Sequence, residues 1–235
     1  MAELAPQLQP LYLFADSQLL FWKRNDRLLL DTALEGLARD TPISAAYVGA
    51  SNGDTLEYFE IFEAAVDAIG ITDRRMINSS FGSDDRAFLE RAQLIVLAGG
   101  DVRLGWNTFE KTGMKDVILQ RYAHGAVLVG ISAGAAQLGR YGIVGTSESP
   151  ATAPFEVFRL VHMVVDTHDE RAGWARLSRT IQLLDGAAAG LGIPSGGGVI
   201  VHTDATIEPL RRPSHEFRVD GERVAHSLLC PAEEK

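Results

Sequence analysis

Cysteine is almost missing from this chain of 235 residues: Cys230 stands alone. No internal disulfide can form, and no zinc site can be built on paired cysteines. Near the C-terminus and away from every motif, Cys230 reads as a small apolar residue of a final strand. Positive charge is scarce as well. The 22 lysines and arginines are outnumbered by 31 acidic residues, leaving a net charge of -9, and no long basic run occurs. A nucleic-acid backbone and an anionic membrane are therefore not expected as partners. No apolar stretch approaches the length of a membrane span, and Met1 to Pro10 lacks the basic opening of a secretory signal, so the cytoplasm is the expected compartment. There is no Walker loop and no G-x-G-x-x-G after a strand, and no nucleotide cofactor is expected. His162, Asp166 and His168 lie close in sequence, but their spacing fits no zincin or finger pattern. The expected cofactor set is none.

What is present is an ordinary globular balance, 46% hydrophobic and 23% charged, at a length that suits one α/β domain over residues 1–235. Leu11 to Phe14 reads as a strand. Asn25 to Asp40 reads as an amphipathic helix with Leu30, Ala33, Leu34, Leu37 and Ala38 on one face. The continuous apolar runs from Ile43 to Val48, Leu94 to Ala98 and Ala126 to Val129 suit strands covered on both faces. Between them, Asp54-Thr55-Leu56-Glu57 has the form of a capping box that opens a helix closed by Gly70. Ser83 to Arg91 reads as a short helix, and Val102 to Ala123 is helical in pattern. Phe155 to Val165 looks extended, and Thr167-His168-Asp169-Glu170 has the form of a second capping box, opening a helix to about Leu184. Ala187 to Ile193, Gly198 to His202 and Thr206 to Leu210 follow as strands, with a charged hairpin from Glu216 to Leu229 turning at Asp220-Gly221. Alternation of strand and helix implies a mainly parallel sheet with helices on both faces, and ligands at the C-terminal strand ends. Three loops then meet on one rim: Ala50 to Asp54, Gly99 to Arg103, and the turn after the Ala126 strand.

That last turn carries Gly130-Ile131-Ser132-Ala133-Gly134, the G-x-S-x-G grammar of a nucleophile elbow. Ser132 would project from the apex, with the N–H of Ala133 and the helix start available to an oxyanion. The competing reading is a glycine-rich strand-to-helix turn around an inert serine. A serine hydroxyl needs a base, and His168 stands out among six histidines because it follows a strand and sits at an expected helix start, where the neutral imidazole is favoured. Asp169 and Glu170 act in the opposite sense. A solvated residue at a helix start is the alternative for His168.

Gly99-Gly100-Asp101, Gly130-Ile131-Ser132-Ala133-Gly134-Ala135 and Asp166-Thr167-His168, with Arg176-Leu177 beyond, resemble the serine peptidase family of cyanophycinase and dipeptidase E. Ala50-Ser51-Asn52-Gly53-Asp54 and Gly192-Ile193-Pro194-Ser195-Gly196 are similar to two further segments of that family, in the same order. The resemblance implies a three-layer α/β/α sandwich related to class I glutamine amidotransferases, and hydrolysis after aspartyl or β-aspartyl residues. It also implies Ser132 as nucleophile, His168 as base, and the N–H groups of Gly100 and Ala133 as the oxyanion hole.

The chain departs from the family in places that matter. The triad acid would fall at Ser195, a hydroxyl in place of a carboxylate. Val102 and Thr167 stand where cyanophycinase-like members commonly carry glutamines, and Asp169 replaces the phenylalanine usual after the histidine. Glu148 folding back over the site, or Ser195 itself as a neutral orienter of the imidazole, is the expected substitute for the acid. Arg103, Arg171 and Arg176 are expected to bind a substrate carboxylate. Asp101 either joins them or caps the helix that begins near Arg103. Trp106 and Trp174 wall a pocket or belong to the core. The first expectation is a divergent serine hydrolase that cleaves a small peptide or amide. A catalytically impaired pseudoenzyme, kept as a binding or assembly module, is the alternative favoured by Ser195. An acyltransferase delivering to something other than water ranks third, and a homodimer is the usual expectation for such a fold.

Overall fold

A computed structural model describes residues 8–37, 42–143, 153–221 and 223–232. Seven strands form the main sheet, in the spatial order Ile207–Leu210, Gly198–Val201, Leu11–Phe14, Val127–Ile131, Leu94–Leu97, Ser44–Val48 and Asp73–Ile77. The five from Leu11–Phe14 onward run parallel, and the two at the other edge pair antiparallel. The architecture is thus mixed α/β around a large, mainly parallel sheet.

Strand residues alternate between two cores, as the two-residue side-chain period requires. Leu13, Val48, Leu97 and Leu128 face one way, where the helices Ser83–Leu89, Val102–Thr112, Met114–Ala123 and Ala133–Leu138 contribute Phe88, Phe109, Ile118 and Leu138. Phe14, Tyr47, Val96 and Val129 face the other, against Leu30 and Leu34 and against Phe62 and Val66 of the helix Leu56–Asp67. Both faces of the sheet are therefore covered, which is why the strands read as unbroken apolar runs.

A second sheet of four strands stands beside the first: Met163–Thr167, Ala189–Ile193, Ser214–Asp220 and Arg223–Leu229. The first two pair in parallel, and the last two form the expected terminal hairpin. Its inner residues Val165, Leu191 and Ile193 join the first core. Its other face packs Trp174, Leu177 and Ile181 against Val164 and Phe217.

Several local expectations change. The stretch expected as a helix from Asn25 to Asp40 starts as a tight hairpin, Lys23–Arg24 against Arg27–Leu28, with Asn25 and Asp26 in the left-handed region. Its helix is only Leu29–Ala33, because one and a half turns suffice to bury Leu29, Leu30, Ala33 and Leu34; Ala38 and Asp40 lie outside the described residues. The span from Val102 to Ala123 is two helices, broken at Gly113 with φ +75°. The first capping box does not form: Asp54 accepts from Ser79 N and Oγ, and the Thr55 side chain accepts no capping hydrogen bond. Neither does the second, since His168 leaves the strand with φ 46° and the helix begins only at Ala175. Cys230 is exposed just past the last strand, not packed within it. No helix of the described residues is long and apolar enough to cross a membrane.

Candidate active site

The strand Val127–Ile131 ends at Ser132, and the helix Ala133–Leu138 begins immediately. Ser132 has φ 49° and ψ -106°, a backbone conformation that costs a non-glycine residue about 1–3 kcal/mol. Three hydrogen bonds hold it there. Ser132 N donates to Phe14 O at 2.8 Å, Gly134 N to Ala98 O at 3.1 Å, and Ala136 N to Ser132 O at 3.0 Å. Glycine at 134 is required by space, since a Cβ there would lie 2.3 Å from Leu97 O. The turn is an elbow because its flanks leave no other path.

The neighbouring loop approaches equally closely. Gly100 has φ +132°, and a Cβ on it would sit 2.1 Å from Ser51 O. Asp101 N donates to that same Ser51 oxygen at 2.7 Å. With Asp101 N and Gly134 N both engaged, the N–H groups of Gly100 and Ala133 donate to no other described residue. Both belong to the lining of one recess beside the Ser132 hydroxyl. Paired amides at such a point can stabilise negative charge on a substrate oxygen.

Ser132 Oγ lies 2.8 Å from His168 Nε2. His168 arrives from the other sheet: its strand Met163–Thr167 pairs with Ala189–Ile193, and His168 N donates to Ile193 O at 2.9 Å. No α-helix starts at His168, contrary to the sequence expectation; a 3-10 turn, Glu170–Ala172, follows it. Thr167 Oγ1 stands 3.5 Å from Ser132 Oγ, at the edge of hydrogen bonding.

Gln137 is a residue that sequence reasoning passed over. Fully buried on the helix after the elbow, it donates Nε2–H to Ser51 Oγ and Val102 O, each at 3.0 Å. It thereby ties all three rim loops together. The signal available in the sequence was a lone amide in an otherwise apolar helix. Gln137→Ala is expected to reduce unfolding free energy by about 1–3 kcal/mol, the cost of stranding buried polar partners, readable as a lower denaturant midpoint.

A model of peptidase family S51 matches residues 20–208. The chain belongs to peptidase family S51. Its three-dimensional relatives include a peptidase from an acI-B1 Actinobacterium, at TM-score 0.64 and 14% identity, with 97% of each chain covered. Another is a candidate peptidase E protein from Listeria monocytogenes EGD-e, at TM-score 0.60 and 15% identity, covering 95% of this chain and 100% of that one. At such identities they are similar in fold. No curated protein matches the sequence.

In this S51 chain the acidic surroundings of the histidine differ from expectation. Ser195 is exposed, and its N–H donates to Glu170 Oε1 at 3.2 Å. Glu148 lies outside the described residues. Glu170 is not among the substitutes expected for the acid from the sequence. The short 3-10 turn Glu170–Ala172 carries it to Ser195. Burial alone would raise its pKa. Hydrogen bonds from the Ser195 side chain and from the N–H groups of Glu170 and Ser195, with the His168 charge nearby, hold it below the usual glutamate range. Asp169 behaves oppositely, pushed up by burial and then by Asp166, with only partial relief from Arg176 and His168.

The expected carboxylate-binding group does not assemble. Arg176 grips Asp166, with Nε 2.8 Å from Oδ2 and Nη2 2.5 Å from Oδ1, and also donates to Thr167 O at 3.2 Å. Burial works against its charge, but those Asp166 contacts keep its pKa raised. Arg103 lies over the Phe155 ring, 3.3 Å from its centroid, and Arg171 is exposed on the 3-10 turn. Asp101 caps the helix Val102–Thr112 by accepting from Leu104 N at 2.8 Å. Trp106 and Trp174 are buried in the cores. Among the described residues no group of three or more His, Cys, Asp or Glu side chains could hold a metal ion.

Proposed function

We propose that this S51 chain is a serine peptidase or amidohydrolase acting on a small peptide or amide through an acyl-enzyme on Ser132. The observation that carries the reading is the 2.8 Å contact between Ser132 Oγ and His168 Nε2, at a strained elbow flanked by two available amides. His168 takes the hydroxyl proton as Ser132 Oγ forms a bond to the substrate carbonyl carbon. The N–H groups of Gly100 and Ala133 receive the negative oxygen. When the C–N bond breaks, His168 returns the proton to the leaving amine. Water, deprotonated by the same imidazole, then attacks the ester and frees the acid and Ser132. Glu170, ionised and anchored on Ser195 N–H, lies near enough to the imidazole for its charge to offset the transient positive charge of the ring. No cofactor enters any step.

A second reading is favoured by one observation, the hydroxyl of Ser195 where the family's triad acid would stand: a pseudoenzyme that keeps the fold as a binding module. A fluorophosphonate probe separates the two. Covalent labelling of the wild type at Ser132, absent from Ser132→Ala, is the expected result. Equal treatment of both proteins by the probe sinks the hydrolytic reading and leaves the binding module.

A further inference from the structure

Two recesses meet at the reacting pair, each touching Gly100, Ser132 and His168. The larger, about 270 Å³, is walled by Leu20, Tyr47, Tyr58, Ile61, Phe62 and Ile131. A cavity of about 150 Å³ accommodates benzene, so an aromatic side chain fits with room to spare. No lysine or arginine occurs among the described residues that line it, and its one carboxylate is Asp16. That carboxylate is itself occupied, accepting from Gln18 N at 3.0 Å and Gly196 N at 2.6 Å. Tyr47 stays neutral, its phenol pushed up to about 12 by burial, and accepts a hydrogen bond from Asn52 Nδ2 at 2.9 Å. The smaller recess, about 90 Å³, has Val102, Ala136, Ile143 and Val165 in its wall. Among the described residues its one arginine or lysine is Arg176, consumed by Asp166 and within 4.0 Å of Asp169 as well.

A carboxylate entering either recess would lose its water without meeting an unengaged cation, close to Asp16 or Asp166. Uncompensated charge burial of this kind is strongly opposed. An apolar group, in contrast, gains by leaving water against the aromatic wall.

We propose that this cleft selects neutral substrates bearing a bulky apolar or aromatic group, seated between Tyr58, Ile61 and Phe62, and rejects the acidic acyl groups implied by the family resemblance. The inference rests on the Ser132 hydrolase reading, and the test keeps the two apart. Fluorophosphonate labelling of Ser132 first establishes the reactive centre without reference to any side chain. The N-acetylated, C-amidated forms of Ala-Ala, Phe-Ala, Ala-Phe, Asp-Ala and Ala-Asp are then compared by kcat/KM of cleavage, and by their power to slow Ser132 labelling.

One phenylalanine peptide is expected to exceed Ala-Ala by about 10- to 100-fold, the span that pocket filling supplies, with both aspartate peptides at or below Ala-Ala. Tyr58→Ala, at a side chain already half exposed at the mouth, should shrink the phenylalanine advantage at least threefold. An aspartate peptide that is cleaved or protects best, an absence of any phenylalanine advantage in both readouts, or an advantage untouched by Tyr58→Ala overturns the selectivity while labelling still stands. Loss of labelling itself would instead remove the reading beneath it.

Discussion

Ser132→Ala, His168→Ala and the double variant should all show nearly the same residual kcat/KM, reduced by about 10⁴–10⁶ from wild type, because nucleophile and base act as one unit. The geometry demands that equality. With Oγ and Nε2 2.8 Å apart, the imidazole has value only as acceptor of that particular proton, and the hydroxyl only as its donor. Once either is gone, the remaining amides of Gly100 and Ala133 still orient a carbonyl, which leaves a small residual rate. Single-turnover kinetics on a chromogenic amide checks the claim. Separate, multiplying losses from the two single variants would mean that His168 and Ser132 serve different steps, and the proposed proton transfer would be wrong. Circular dichroism should be indistinguishable among the three. Ser132 is only half-buried, and alanine keeps the same Cβ at φ 49°, so the elbow backbone is left as it is.

What the sequence reveals about this centre is whatever is local. Gly130, Ser132 and Gly134 fall within five successive residues, and the need for bare backbone at 134 follows from a turn that brings it onto Leu97 O. A five-residue pattern can report such a constraint. The unbroken apolar strands were legible for a similar reason, since each carries its own two-sided burial. Side chains joined across the fold were not. Arg176 reads as a free guanidinium until strand, turn and helix bring it onto Asp166, ten residues back in sequence. Glu170 and Ser195 are 25 residues apart, and only the parallel pairing of Met163–Thr167 with Ala189–Ile193 makes them neighbours. The helix expected from Asn25 failed differently. Its apolar spacing was real, but Asn25 and Asp26 favour a left-handed turn, and the hairpin consumed the first turn of the helix.

Glu170→Gln carries the second large effect: a fall of about 10²–10⁴ in kcat, in line with replacing a triad carboxylate by its amide. The carboxylate is held ionised by the Ser195 contacts, so at neutral pH it presents a full negative charge to the imidazolium that forms when Ser132 loses its proton. The amide keeps the volume and can still accept from Ser195 N–H, but it supplies no such charge. A carboxylate beside an imidazole favours the protonated ring. A purely structural loss would instead appear as a lowered denaturant midpoint. Glu170→Asp should recover part of the rate, and Asp169→Asn should retain most of it, because the Asp169 carboxyl is pushed toward its neutral form by burial and by Asp166. If Glu170→Gln kept wild-type kcat, the imidazole would have to draw its support from elsewhere. The exchange of the family's acid at position 195 for a carboxylate on the histidine's own loop would then be disproved.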